Sequence, residues 1–195
     1  MNANNWIKNH GSMSTWITSI CVGALATMFS AQAASPDNRG QLDPADYKFA
    51  VAAARGGVLE VNLGKLAQEK AGNDAVKHFG QQMVEQHGKA GADLERITEK
   101  KGATVSTGPT AAQQREIDRL NKLSGADFDK AYIAFMVKDH KADLKEFQNA
   151  ALKVNDNDLK AFAAATVPMI EDHLKMALAI QETLGRKQVS ENISD

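Results

Sequence analysis

A methionine and a histidine four residues apart recur three times, as Met83-Val-Glu-Gln-His87, Met136-Val-Lys-Asp-His140 and Met169-Ile-Glu-Asp-His173. Four residues is about one helical turn, so each pair shares a helix face. In every case that face is also the apolar one, and the histidines point inward. Three inward histidines on three separate helices call for a bundle, with either a metal site or a buried polar layer inside it.

The apolar periodicity agrees. Asp43-Pro44 is a start signal, an acidic cap followed by a proline where a missing N–H costs nothing. The first helix runs from there to about Ala71, with Phe49, Ala53, Gly56, Glu60, Leu63 and Ala67 on one face. Gly72-Asn73 ends it. The second, Asp74 to Lys101, buries Val76, Phe79, Met83, His87, Ala90, Leu94 and Ile97, and Gly102 stops it. The third spans Ala126 to Val154 and turns Ile133, Met136, His140, Leu144, Phe147 and Ala151 inward. After the turn Asn155-Asp156-Asn157, the fourth reaches Leu184 through Leu159, Phe162, Thr166, Met169, His173, Ala177 and Ile180. Pro168 is expected to kink it and Gly185 to end it. Gly56-Gly57 suggests close backbone approach of a neighbouring helix.

Four long helices with no strand pattern predict an all-α fold, a four-helix bundle. The connection between the second and third helices is long, at roughly twenty residues. It carries a short amphipathic helix from Ala111 to Leu123, and it can span a whole helix. A ferritin-like order, two hairpins joined by a crossover, fits that length, as does a simple up-and-down order.

Residues 1–33 read as a secretory signal peptide. Lys8 precedes the uncharged run from Trp16 to Phe29, and Ser30-Ala-Gln-Ala33 has small residues where a signal peptidase cuts. The expected location is outside the cytoplasm, in the periplasm. Residues 34–42 read as a disordered lead-in, 43–186 as the helical domain and 187–195 as a polar tail. Cys21, the only cysteine, lies in the leader, so no thiolate metal site remains. About 160 residues are left, enough for one core without staples. With 23 Lys and Arg against 24 Asp and Glu, and Lys8 removed with the leader, the charge is about −2. There is no basic stripe for nucleic acid, and no second apolar run is long enough to cross a bilayer.

Glu60 sits near the middle of the first helix, and His87, His140 and His173 near the middles of the other three. One group per helix at a common height makes a single polar layer. Imidazole and carboxylate together bind zinc or copper, and Met83, Met136 and Met169 are soft neighbours one turn from the histidines. The alternative is a metal-free structural or interaction protein whose histidines and Glu60 hydrogen-bond one another and order the core. Asp129 reads as a partner of the helix dipole and Tyr132 as a core-edge aromatic. Glu85, Asp139 and Glu171 point elsewhere around their helices and read as solvated, and His78 reads as exposed.

With these residues in hand, the chain from Asp43 to about Arg186 resembles a family of bacterial exported proteins of unknown function. The resemblance rests on Met83-Val-Glu-Gln-His87, Ser124-Gly-Ala-Asp-Phe-Asp-Lys-Ala-Tyr132, Val137-Lys-Asp-His140 and Pro168-Met-Ile-Glu-Asp-His173. It implies a ferritin-like helical bundle in the cell envelope and no established activity. Some members are labelled outer membrane proteins, although no series of alternating strands occurs here. The di-iron centre of ferritins takes Glu-x-x-His from each of two helices. Here Val84, Val137 and Ile170 stand three residues before the histidines, so that site does not carry over. The expected function is a binding or stress-associated envelope protein rather than an enzyme.

Overall fold

The computed structural model describes residues 39–105 and 108–194, with side chains to Arg186. The leader and most of the lead-in lie outside the described residues. Among these residues every extended element is helical, and the strand-like contact is one isolated bridge between Ala71 and Gly125.

The helices are α1 (Pro44–Lys70), α2 (Asp74–Gln82), α3 (Gly88–Lys100), α4 (Ala111–Asn121), α5 (Gly125–Lys153) and α6 (Asn157–Ser194). A π turn, Met83–His87, joins α2 to α3 into one rod. The start signals act as their chemistry requires. Asp43 accepts the N–H groups of Ala45 and Asp46, with Pro44 in the first turn. Asn73 caps α2, and Thr110 with Gln113 forms a reciprocal capping box on α4.

Two expected boundaries move. α6 runs as one helix through Pro168, which is exposed together with Ala164, so the missing N–H leaves no buried carbonyl stranded. It also passes Gly185 and continues to Ser194. At the other end, Arg39–Leu42 forms a turn rather than free chain. Gln41 donates its N–H to the Lys101 carbonyl at 2.8 Å, and Leu42 is buried. Gly40 has φ +56° and presses against Lys101 and Gly102, where a side chain would collide with backbone.

Contacts at the helix ends define the order of the rods. Buried Asp46, in the first turn of α1, accepts the N–H groups of Asn155 and Asp156 at 3.1 and 2.7 Å, just beyond the end of α5. At the opposite end Ala71 bridges Gly125, and Asp129 accepts the Gly72 N–H at 3.1 Å. α1 and α5 are therefore antiparallel neighbours. Lys101, following α3, pairs with Asp156 and Asp158 at the start of α6, at 2.8 Å each. α3 and α6 are antiparallel neighbours too. The chain between α3 and α5 must then return the full length of the molecule. It does so along α1: Tyr47 donates to the Thr104 carbonyl, Gln113 donates to the Arg55 carbonyl, and Leu120 is fully buried in the core.

α1 and α2 approach each other closely at two glycines. A Cβ placed on Gly64 would lie 2.6 Å from the Gly80 carbonyl oxygen, and one on Gly80 would lie 2.6 Å from the Ala67 Cβ. Gly56 and Gly57 were expected to serve this purpose and do not. A Cβ on Gly56 would meet nothing within 4 Å.

The apolar interior divides in two. One cluster gathers Leu63, Phe79, Met83, Phe128, Tyr132, Ile133 and Met136, with Leu120 from α4. The other gathers Phe49, Leu94, Phe147, Leu159, Ala163 and Ile170. By position along every rod, Glu60, His87, His140 and His173 fall between the two.

Candidate metal centre

Four helical segments each deliver one side chain to this middle layer: α1 brings Glu60, the π turn His87, α5 His140 and α6 His173. They are 2%, 6%, 0% and 0% exposed. The three imidazole rings pack against one another with centroids 5.1–5.7 Å apart. The Phe79 ring lies 6.3 Å from His140 and 6.2 Å from His173, joining the layer to the first apolar cluster.

The nitrogens sort into an outer and an inner set. His140 Nδ1 lies 3.1 Å from the Met136 carbonyl oxygen, His173 Nε2 lies 3.0 Å from Gln86 Oε1, and His87 Nδ1 lies 2.7 Å from Glu60 Oε2. A carbonyl, an amide oxygen and a carboxylate are all acceptors. With Glu60 ionised, each outer nitrogen must therefore carry the ring N–H, and the inner nitrogens of neutral rings are bare lone pairs. Those inner atoms converge. His173 Nδ1 is 3.2 Å from His87 Nε2 and 3.4 Å from His140 Nε2. Glu60 Oε1 lies 3.5 Å from His140 Nε2 and has no hydrogen-bond donor.

Lone pairs aimed at one another repel unless a cation stands between them. A metal–nitrogen bond of about 2.0–2.1 Å sets the edge of a tetrahedral site at about 3.3–3.4 Å, close to the separations found. Each imidazole is also held from behind by an acceptor, the arrangement that fixes tautomer and ring orientation in histidine metal sites.

The electrostatics favour neutral rings. Burial pushes His87 down to about 4. Burial and the two neighbouring rings push His140 down to about 3, and burial with His87 does the same to His173. Burial, with Asp139 adding to it, holds the Glu60 carboxyl well above the usual carboxylate range. Burial thus favours the neutral form of the Glu60 carboxyl in the metal-free cluster, as it does for the rings. The same three imidazoles are grouped closely enough that they could hold a metal ion.

The methionines take ordinary places. Met83 and Met136 are fully buried in the first apolar cluster, and Met169 packs against the second. Met136 adds its main-chain carbonyl. His78, Glu85 and Glu171 are exposed, as expected. Tyr132 is not at the core edge; it is fully buried, stacks on Phe128, and its hydroxyl has no partner.

Asp139 requires a larger correction. It is half-buried, and one carboxyl oxygen each from Glu60, Asp139 and Asp143 lies within 4.8 Å of the others and of a His140 nitrogen. Asp143 and Gln86 were missed altogether. The signal for Asp143 was its spacing, one turn beyond both Asp139 and His140. That for Gln86 was weaker, because a neighbour in sequence ordinarily faces a different way. The π turn, a local irregularity frequent at functional sites, holds both Gln86 and His87 against His173.

A groove of about 530 Å³ runs between α1, α3 and the segment Ala103–Val105, and His87 lies at its floor with Gly57, Gly88 and Gly91. The glycines of α1 and α3 open this side of the layer instead of closing it.

The backbone is similar to that of a solved structure, the crystal structure of a DUF305 fragment from Deinococcus radiodurans. The TM-score is 0.63 at 12% identity, covering 74% of this chain and 98% of that one. At such identity the likeness concerns the fold alone. No curated protein matches the chain. Neither the solved structure nor the family match carries a ferritin-like or cell-envelope label. Residues 31–180 match the model of a family described as a domain of unknown function, DUF4142, and the chain belongs to that family.

Proposed function

We propose that this protein is an exported, ferritin-like four-helix bundle that binds one transition-metal ion in its middle layer. His87 Nε2, His140 Nε2 and His173 Nδ1 are the nitrogen ligands, and Glu60 Oε1 closes the set. The observation that carries the reading is that every outer nitrogen faces an acceptor once Glu60 is ionised, so that the three inner nitrogens turn their lone pairs toward one another. The crossover between two antiparallel hairpins supports the ferritin-like order, and the run ending at Ala33 supports export. Three imidazoles, with a carboxylate oxygen 3.5 Å from one of their inner nitrogens, suit Zn²⁺ first. Copper comes second, because the methionines belong to the apolar clusters. The role is binding in the cell envelope, with the groove at His87 as the route of entry.

The test is metal content of the untagged mature protein, followed by zinc titration. One equivalent, lost in His140→Ala with helicity kept, is the expected result. A chain that takes up neither zinc nor copper, and whose melting temperature ignores chelators, would make the layer a structural network.

A further inference from the structure

Asp139 and Asp143 lie one turn apart on α5, on either side of His140. With Glu60 and His140 they bring four ligand atoms within 4.8 Å of one another. Among the described residues neither aspartate nor Glu60 pairs with a lysine or arginine. Glu60 is 2% exposed, and its Oε1 receives no hydrogen bond. Buried carboxylates are ordinarily paired, hydrogen-bonded or bound to a metal; Glu60 Oε1 has only His140 Nε2, at 3.5 Å, and the Asp143 carboxyl beside Glu60 is another acid rather than a cation. Beside the cluster is a cavity of about 30 Å³, bounded by Glu60, His87, Asp143 and Glu146 against Gly56 and Gly57. That is room enough for ordered water.

We infer that the chain holds a second divalent cation between Glu60, Asp139 and Asp143, beside the three-histidine ion, with Glu60 Oε1 shared by the two. The inference rests on the three-histidine site. His140 has a single free nitrogen, because its Nδ1–H is held by the Met136 carbonyl, and that nitrogen serves the first ion. The second ion is left with carboxylate oxygens and water. Such donors select a hard cation of the Mn²⁺ or Mg²⁺ kind over zinc or copper. An oxygen bridge places paired ions about 3.5–4 Å apart. The centre is then asymmetric, a nitrogen-rich site beside an oxygen-rich one. Gly56 and Gly57 have a role in this arrangement: they leave room for the water ligands of the second ion.

Full-length protein loaded with one equivalent of zinc is titrated with Mn²⁺, and free Mn²⁺ is followed by its electron paramagnetic resonance signal. The expected result is uptake of one Mn²⁺ with zinc retained. Asp143→Asn and Asp139→Asn should each weaken Mn²⁺ at least tenfold while keeping zinc stoichiometry and helicity. Zinc loading without Mn²⁺ uptake overturns the second position and leaves the first intact. Mn²⁺ uptake indifferent to both substitutions overturns it as well. Failure to load zinc overturns the three-histidine reading and the pair together.

Discussion

His87 Nδ1 and Glu60 Oε2 lie 2.7 Å apart, and this contact joins the π turn to the middle of α1 inside the protein. It orients His87 so that Nε2 faces the other rings, and it uses one oxygen of Glu60 while leaving the other free. Glu60 thus meets the layer twice, at His87 through one oxygen and at His140 through the other.

Zinc uptake should release protons, because burial raises the Glu60 carboxyl and a metal ligand must be ionised. Glu60→Gln keeps an acceptor for His87 but removes the acid. In that variant the proton release should vanish, and zinc affinity should fall by about 10–100-fold. Calorimetry in buffers of different ionisation enthalpy measures both. Equal proton release in the two proteins would place that proton elsewhere.

Gln86 meets the layer at His173 Nε2, 3.0 Å from its amide oxygen. Its removal in Gln86→Ala should weaken zinc about tenfold, at the low end for a group behind a ligand, and leave the metal-free melting temperature nearly unchanged. Competition against a chromophoric chelator reads the affinity. An unchanged value would show that water replaces the amide without loss.

Metal-free protein should lose stability as the pH rises from 7 to 9. Burial and the carboxyls of Glu60 and Asp139 push Asp143 up to about 9. Across that window the folded chain holds a proton that the unfolded chain, with an ordinary carboxylate pKa, has already lost. A raised acid pKa therefore contributes stability that disappears as pH climbs through it. The three histidines add no slope there, since they are neutral in both states above about pH 6.5. Their lowered folded values cost stability only as pH falls below that point. Thermal melts should show a drop of roughly 5 °C between pH 7 and 9. Asp143→Asn should flatten it, and a slope that persists in the variant would assign the effect to another group.

Two glycine substitutions should behave oppositely. Gly80→Ala forces a methyl group against the Ala67 side chain and the Gly64 carbonyl, and should destabilise by about 1–3 kcal/mol. Gly56→Ala adds a methyl group in open space within a helix, and should stabilise by about 0.5–1 kcal/mol. Urea unfolding of the metal-free proteins compares them. Similar losses at both positions would mean that α1 approaches its neighbours equally closely along its length.

Much of this was legible along the chain because it depends on local rules. Helical period placed Phe79, Met83, His87, Met136, His140 and His173 inward. Asp43-Pro44 and Asn73 marked helix starts through their capping chemistry. Equal distances from the turns put Glu60 level with His87, and His140 level with His173. Gly185 misled because a glycine weakens a helix without forbidding it.

The tertiary structure decided what depends on partners distant in sequence. Periodicity identifies the face that is buried but not the helix that will cover it. The crossover along α1 emerged only where Asp46 meets Asn155 and Lys101 meets Asp156. Asp139 read as solvated because its own helix turns it partly outward, yet Glu60 on α1 and Asp143 draw it into a carboxylate cluster. Which glycines permit close approach is likewise a property of two helices together, Gly64 with Gly80, and not of either one. The sequence by itself determined four inward polar groups at one height, since rise per residue is the same in every helix. Only their packing decided which nitrogen of each ring faces its neighbours, because that choice is made by the acceptor standing behind it.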